Sequence, residues 1–111
     1  MDYSRTLKAD FEELVENVCQ KMVGFRRGNS ITSRKRYQSG QTLIERVLIE
    51  RFSNTMMERT ALQITFIKDG ENVIVDGVAT GFEGILFLRS PEGKQSYISK
   101  LDECLNEFET K

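Results

Sequence analysis

The chemistry open to this chain is limited by the side chains that it contains. Its 111 residues include no histidine, the commonest general base and the commonest protein ligand of transition metals. Hydrolases built on Ser-His or Cys-His pairs are therefore excluded, and we expect neither a metal nor a cofactor. Cys19 and Cys104 are too far apart in sequence for a CxxC redox pair or a zinc knuckle. We interpret them as reduced thiols in the core.

Carboxylates are the remaining candidates for acid–base catalysis. Glu45, Glu50 and Asp76 lie on predicted strands and could meet across a sheet, opposite Arg46 or Arg51. Cross-strand ion pairs explain these residues without a catalytic role. Because the sequence defines no pocket around them, they do not identify a reaction, and we favour a non-enzymatic role for the chain.

The strongest charge asymmetry lies between Glu16 and Glu45, where six basic side chains occur and no acidic one, although the whole chain has a net charge of −1. Phe25 and Tyr37 flank the arginines, and cations beside aromatic rings can contact phosphates and unpaired bases. We call residues 26–36 the basic segment. Its candidate anion-binding residues are Arg26, Arg27, Arg34, Lys35 and Arg36.

The basic segment also has a purely structural interpretation. Lysine and arginine on an edge strand discourage pairing with a second sheet, so a solvated loop and edge strand would explain the same residues. The slightly acidic balance of the whole chain disfavours a long polyanion such as nucleic acid. A small anionic ligand or an acidic partner protein fits the segment at least as well.

Two amphipathic helices are predicted at the ends of the chain. Apolar side chains recur with helical spacing over residues 11–22, after Asp10 as the N-cap and before Gly24 as a left-handed stop. A second apolar stripe covers residues 97–108 and follows a turn at residues 90–92. Each stripe predicts a helix that buries one face.

The middle of the chain, from residue 31 to residue 89, predicts an antiparallel meander. A polar segment leads through Ser39-Gly40 into residues 42–52, which fit either a helix or a strand. Their β-branched content favours a strand. The other predicted elements are strands at residues 3–9, 62–67, 73–80 and 85–88 and a hairpin at Asp69-Gly70.

These elements predict a single α+β domain over residues 1–111. In this two-layer sandwich, an antiparallel sheet of about five strands is covered on one face by the N-terminal and C-terminal helices. No apolar run is long enough to cross a membrane, and the first residues lack the apolar core of a signal peptide. We therefore expect a cytoplasmic protein without membrane contact.

Several strand and turn motifs follow one another between residues 41 and 108. They are the strand end ERFS at 50–53, the Asp69-Gly70 hairpin, the corner ATG at 79–81, the apolar strand at 85–88 and a final helix containing LDECL. Together they resemble a bacterial family of small, functionally uncharacterised proteins. The resemblance implies a compact α+β fold and assigns no activity, cofactor or partner. It fades over residues 25–40, so a function of the basic segment would be particular to this protein.

Two apolar groups are further candidate sites. If the helices stand off from the sheet, as in helix-grip proteins, a cleft for an apolar small molecule would form between them. We favour a filled core, since the chain has few apolar side chains to spare. The cleft would be lined by Leu62, Ile64, Phe66, Phe87, Tyr97 and Leu101. The turn residues Met56, Met57 and Phe82 would mark a homodimer interface if they are exposed.

The function that these observations favour is that of an interaction or small-ligand-binding module, in the form of a homodimer. Binding of nucleic acid or another polyanion through the basic segment is the alternative, and an enzyme of unknown type is the third possibility. Salt separates the first two, because phosphate-driven binding weakens steeply with ionic strength whereas apolar contacts respond little.

Overall fold

A computed structural model describes residues 2–53, 58–81 and 96–109 of the chain. The described chain is an α+β fold, as the sequence predicts. Its elements are β1 Asp2–Lys8, α1 Phe11–Gly24, β2 Ser30–Ser39, β3 Thr42–Ser53, β4 Glu58–Asp69, β5 Asn72–Gly81 and α2 Tyr97–Glu109. The strand predicted at residues 85–88 and the turn predicted at 90–92 lie outside the described residues.

The five described strands form one antiparallel sheet in the order β1-β5-β4-β3-β2. Strands β2 to β5 are a meander whose tight turns contain Gly40 and Gly70, with φ angles of 60° and 63°. Glycine adopts this left-handed conformation without strain. Residues 42–53 are a strand, as their β-branched content favours. The predicted N-terminal edge strand is also confirmed, and it pairs with β5.

Helix α1 begins where the sequence predicts and ends later. The Asp10 carboxylate accepts a hydrogen bond from the backbone N–H of Glu13 at 3.0 Å, which caps the first turn. The predicted left-handed stop at Gly24 is wrong, since Phe25 continues the right-handed path and the left-handed residue is Gly28, with a φ angle of 92°. The chain reverses only at Gly28, where the Arg51 guanidinium donates to the carbonyl of Arg27 at 2.9 Å.

Both helices pack on the same face of the sheet and enclose one core. Along the strands, buried residues alternate with residues that point away from the helices. Gly77 of β5 is buried under α2, and an added Cβ there would lie 2.8 Å from a methyl group of Leu101. The absence of a side chain at Gly77 thus lets α2 approach the sheet closely. The core includes Leu14, Val18, Met22, Val47, Ile49, Leu62, Ile64, Phe66, Val75, Tyr97, Leu101 and Leu105.

The edge strand β1 is fastened to α2 by polar side chains. The Tyr3 hydroxyl donates to the Asp102 carboxylate at 2.6 Å, and partial burial, followed by this bond, raises the pKa of Tyr3. The Arg5 guanidinium donates to the Asn106 side chain at 2.6 Å and pairs with Glu109. These contacts fix the position of α2 above the sheet. Neither helix of the described chain is long and apolar enough to span a bilayer.

Candidate interaction surface

One face of the sheet points away from both helices, and no described element covers it. On β3, for example, Val47 and Ile49 enter the core, so their neighbours point to the opposite face. We call this opposite surface the open face. It includes Asp2, Ser4 and Thr6 of β1, Ser33, Lys35 and Tyr37 of β2, Ile44, Arg46, Leu48, Glu50 and Phe52 of β3, Arg59, Ala61, Gln63, Thr65 and Ile67 of β4, and Ile74, Asp76, Val78 and Thr80 of β5.

The open face carries the most exposed large apolar side chains of the described chain. Tyr37, Phe52 and Val78 are 45%, 52% and 40% exposed, and all three lie on this face. They lie in three different cross-strand rows, and contiguous exposed apolar side chains mark interaction sites more often than single ones do. One cross-strand row is apolar over four neighbouring strands and consists of Tyr37, Ile44, Ile67 and Ile74.

A second cross-strand row on the open face carries charges. Lys35 lies directly opposite Arg46, Arg46 opposite Thr65, and Thr65 opposite Asp76. Like charges directly opposite each other destabilise a sheet. Among the described residues, neither Arg46 nor Asp76 forms an ion pair. Within the part of the chain that the structure describes, this row therefore has a basic end, at β2 and β3, and a carboxylate without an ion pair on β5.

The basic segment is divided between three places. Arg34 and Arg36 point toward the helices, whereas Lys35 points to the open face, where its ammonium lies 5.5 Å from the centre of the Tyr37 ring. Arg26 and Arg27 lie in the loop between α1 and β2. The division arises because successive side chains of a β-strand point to opposite faces of the sheet. The five candidate anion-binding residues thus do not share one surface.

Arg34 and Arg36 engage carboxylates on α1 and β3, in a network that we call the edge clamp. Arg36 donates to the buried carboxylate of Glu45 at 2.7 Å and to Glu12 at 2.7 and 2.8 Å. Arg34 pairs with Glu45 and Glu16. The bond from Arg36 lowers the pKa of Glu12, and the pKa values of both guanidiniums are raised, chiefly by Glu16 for Arg34 and by Glu12 for Arg36. The edge clamp fastens β2 to α1.

The three carboxylates considered for catalysis do not come together. Glu45 lies under α1, whereas Glu50 and Asp76 lie on the opposite side of the sheet. Glu50 accepts a hydrogen bond from the Thr32 hydroxyl at 2.7 Å and lies 3.9 Å from the Arg59 guanidinium. The described residues also contain no group of three or more histidine, cysteine or acidic side chains that could hold a metal ion.

The loop after α1 places cations beside aromatic rings. The Arg26 guanidinium lies 5.0 Å from the centre of the Phe25 ring and 5.2 Å from that of Tyr97, and the Lys100 ammonium lies 5.9 Å from the Phe25 ring. Phe25 and Tyr97 meet edge to face, with their ring centres 5.7 Å apart. Cation–π contacts of this kind hold the loop against the start of α2.

Five of the six residues considered for an apolar cleft lie in the core. Leu62, Ile64, Phe66, Tyr97 and Leu101 are completely buried between the sheet and the helices. Phe87 lies outside the described residues, as do the three residues considered for a dimer interface, which are Met56, Met57 and Phe82.

A buried polar network surrounds Tyr97, and no sequence motif indicates it. The Tyr97 hydroxyl donates to the Asn29 side-chain oxygen at 2.6 Å and accepts from the Thr60 hydroxyl at 3.2 Å. The Asn29 amide donates to the carbonyl of Met22 at 2.9 Å. Asn29 and Thr60 belong to no motif, and only their distance in space from Tyr97 reveals their role. The network joins α2 to β4 and to the end of α1.

Both cysteines are buried thiols, as the sequence suggests. Burial raises the pKa of Cys19 from 9.0 to about 11 and also raises that of Cys104. Because the folded-state pKa of Cys19 lies above its ordinary value, its contribution to folding is complete below pH 9 and is lost as the pH rises toward 11. Neither thiol is set up as a nucleophile near neutral pH.

We expect both thiols to react with Ellman's reagent at pH 8 more slowly in the folded protein than in guanidinium chloride, and Cys19 at least about 100-fold more slowly. A pKa that is two units higher leaves about 100-fold less thiolate at a given pH, and burial restricts access further. The rates of thionitrobenzoate release in the presence and absence of denaturant measure this difference. Rapid modification of one thiol in the folded protein would contradict the buried positions.

The fold and the open face define a small α+β protein that presents one side of its sheet. The chain belongs to DUF6054, a family of unknown function, whose sequence model matches residues 1–109. The match supports the resemblance to an uncharacterised family and extends beyond residues 41–108. It includes the basic segment, which was expected to lie outside the family pattern. No curated protein matches the chain.

Several solved structures are similar to the chain over most of its length. TTHA0849 from Thermus thermophilus is 14% identical, with 96% of this chain and 94% of that one covered and a TM-score of 0.41. CalU16 from Micromonospora echinospora is 12% identical, with 98% and 85% covered and a TM-score of 0.45. A DUF4468 family protein from Bacteroides ovatus is 13% identical, with 96% and 81% covered and a TM-score of 0.34. At these TM-scores the likenesses carry no functional conclusion.

Proposed function

We propose that this chain is a non-enzymatic interaction module that works as a homodimer, with the open face as its interface. The observation that carries the proposal is the position of Tyr37, Phe52 and Val78, which are large, apolar and exposed on this one face. The opposite face of the same sheet packs against the two helices and contributes the strand residues of the core. A second sheet layer against the open face would remove these side chains from water.

The dimensions of the open face suit a stable dimer. Five strands spaced about 4.8 Å apart give a width of about 24 Å, and about nine residues at roughly 3.4 Å each give a length of about 30 Å. The footprint is therefore on the order of 700 Å² per copy, close to the roughly 800 Å² that each partner contributes to a standard interface. A second copy of this chain offers a surface of the same size and polarity.

We expect the purified protein to be a dimer and Val78→Glu to make it monomeric. Val78 is 40% exposed on the open face, so the variant keeps its fold, but a dimer would bury an unpaired carboxylate. Native mass spectrometry and light scattering over a concentration series measure the change, which we expect to be an increase of about 30-fold or more in the dissociation constant. The matched control is Val23→Glu on α1, which introduces the same charge on the helix side.

The same mass spectra test the dimer and the small-ligand function, and a separate binding experiment tests the nucleic-acid function. A monomer at all concentrations, or a dimer that dissociates equally in both variants, would contradict the open face as the interface. An added mass of a few hundred daltons per chain would instead indicate a retained small ligand. Binding of a labelled single-stranded oligonucleotide that falls steeply with salt would favour the basic segment as a polyanion site. We expect such binding to be weak, because Arg34 and Arg36 already engage three carboxylates.

A further inference from the structure

We infer that the two copies pack about a twofold axis that runs nearly parallel to β4, so that Arg46 of each copy faces Asp76 of the other. The inference rests on the proposed function, since it specifies how a second copy occupies the open face. It follows from the order of residues in one cross-strand row. Arg46 and Asp76 lie on the two neighbours of β4, on either side of Thr65 and in register with it.

The axis lies midway between the two sheets, above β4 and parallel to it. A rotation of 180° about this axis exchanges the β3 side of the open face with the β5 side and leaves the position of each residue along the strand direction unchanged. Strand β3 of one copy then faces β5 of the other, and Thr65 faces its own copy on the axis. The Arg46 guanidinium meets the Asp76 carboxylate twice, once on each side of the axis. Because packed sheets lie about 10 Å apart, an arginine and an aspartate together can bridge the gap.

The same rotation matches the apolar residues of the open face. Ile44 of one copy faces Ile74 of the other, and Ile67 faces its own copy on the axis. In the row on the other side of Thr65, Leu48 faces Val78. Apolar side chains therefore meet apolar ones in the rows on both sides of the charged row, except on the axis itself, where Gln63 faces its own copy. A twofold interface requires such self-complementarity.

In the charged row, a twofold axis perpendicular to the strands gives a poorer match, although the axis along β4 also brings Arg59 of β4 onto its own copy. The perpendicular axis places β3 of one copy on β3 of the other, so that an axis through the charged row brings Arg46 onto Arg46. Lys35, directly opposite Arg46 on β2, adds to the positive charge on that side. Like charges buried together across an interface are strongly unfavourable. The axis along β4 instead gives Arg46 a carboxylate, which it lacks among the described residues of its own copy.

Reversal of the two charges tests the arrangement. We expect Arg46→Asp and Asp76→Arg each to raise the dissociation constant of the dimer by about 30-fold or more, since each variant brings like charges together twice. The double variant, Arg46→Asp with Asp76→Arg, restores the opposite pairing, and we expect it to recover most of the affinity. The control Arg27→Asp changes the net charge as Arg46→Asp does, in an exposed loop residue away from the open face.

The outcomes separate this inference from the proposed function. Recovery in the double variant, with little effect of Arg27→Asp, supports the axis along β4. If Val78→Glu dissociates the dimer but the double variant stays as weak as the single ones, the open face is the interface and the axis is wrong. If the wild-type protein is monomeric, both proposals fail. Thermal unfolding of each variant shows whether a loss of dimer reflects a loss of fold.

Discussion

Replacement of Tyr97 by alanine is expected to lower the free energy of unfolding by about 4 kcal/mol. The ring is completely buried between α2 and the sheet, where it packs edge to face against Phe25. Its hydroxyl also forms hydrogen bonds with the side chains of Asn29 and Thr60. The alanine variant would leave a large cavity and two buried polar groups without partners. Urea unfolding monitored by circular dichroism measures the loss.

The variant Tyr97→Phe separates the two contributions. It keeps the ring and removes the hydroxyl, so we expect a smaller loss of about 1–2 kcal/mol, the cost of unpaired buried polar groups. Both variants are best measured in the Val78→Glu background, so that dissociation of subunits does not contribute to the apparent stability. A stability of Tyr97→Phe equal to that of the parent would show that the Asn29 and Thr60 bonds contribute nothing to folding.

The second large effect is expected at Glu45, whose removal should cost about 2–3 kcal/mol. Its carboxylate is 2% exposed and lies between Arg34 and Arg36. In Glu45→Ala the two guanidiniums would remain side by side without the carboxylate that separates their charges. Because both arginines are partly exposed and keep partners on α1, we expect a loss at or below the lower end of the roughly 3–5 kcal/mol that broken buried ion pairs cost.

Glu50 provides the matched control for Glu45. It lies on the same strand, but it points to the opposite face, where its contact with Arg59 is exposed and 3.9 Å long. We expect Glu50→Ala to change the free energy of unfolding by less than about 1 kcal/mol. Urea unfolding of both alanine variants in the Val78→Glu background gives the comparison. Equal losses for the two variants would show that the edge clamp is no more than a surface ion pair.

The periodicity of the sequence was sufficient to predict most of the fold. The spacing of apolar residues in α1 and α2, and glycines at two turns, are local signals that need no knowledge of the tertiary structure. The end of α1 was mispredicted because two glycines, Gly24 and Gly28, lie near it, and only the path of the chain into β2 decides which one is left-handed. Sequence patterns near the end of the helix do not determine this path, because it depends on tertiary packing.

The candidate site was less predictable, because it depends on which side chains share a face. The basic segment is continuous in sequence, but the alternation of β2 divides it between Lys35 on the open face and Arg34 and Arg36 under the helix. Their carboxylate partners come from another strand and a helix. The charged row of Arg46 and Asp76 likewise becomes visible only once the strand order is known. The sequence shows which residues are charged, but it does not show which side chains lie next to them in the folded protein.

The pairing of β1 with β5 has a consequence for synthesis of the protein. During translation β1 is made before its partner, since the register from Asp2↔Val78 to Lys8↔Asn72 joins it to a strand that follows the whole meander. At roughly 5–20 residues per second, β1 waits on the order of 3–13 s for β5. Its sequence DYSRTLK suits this delay, because only Tyr3 and Leu7 are apolar and neither forms a run that would aggregate on the ribosome.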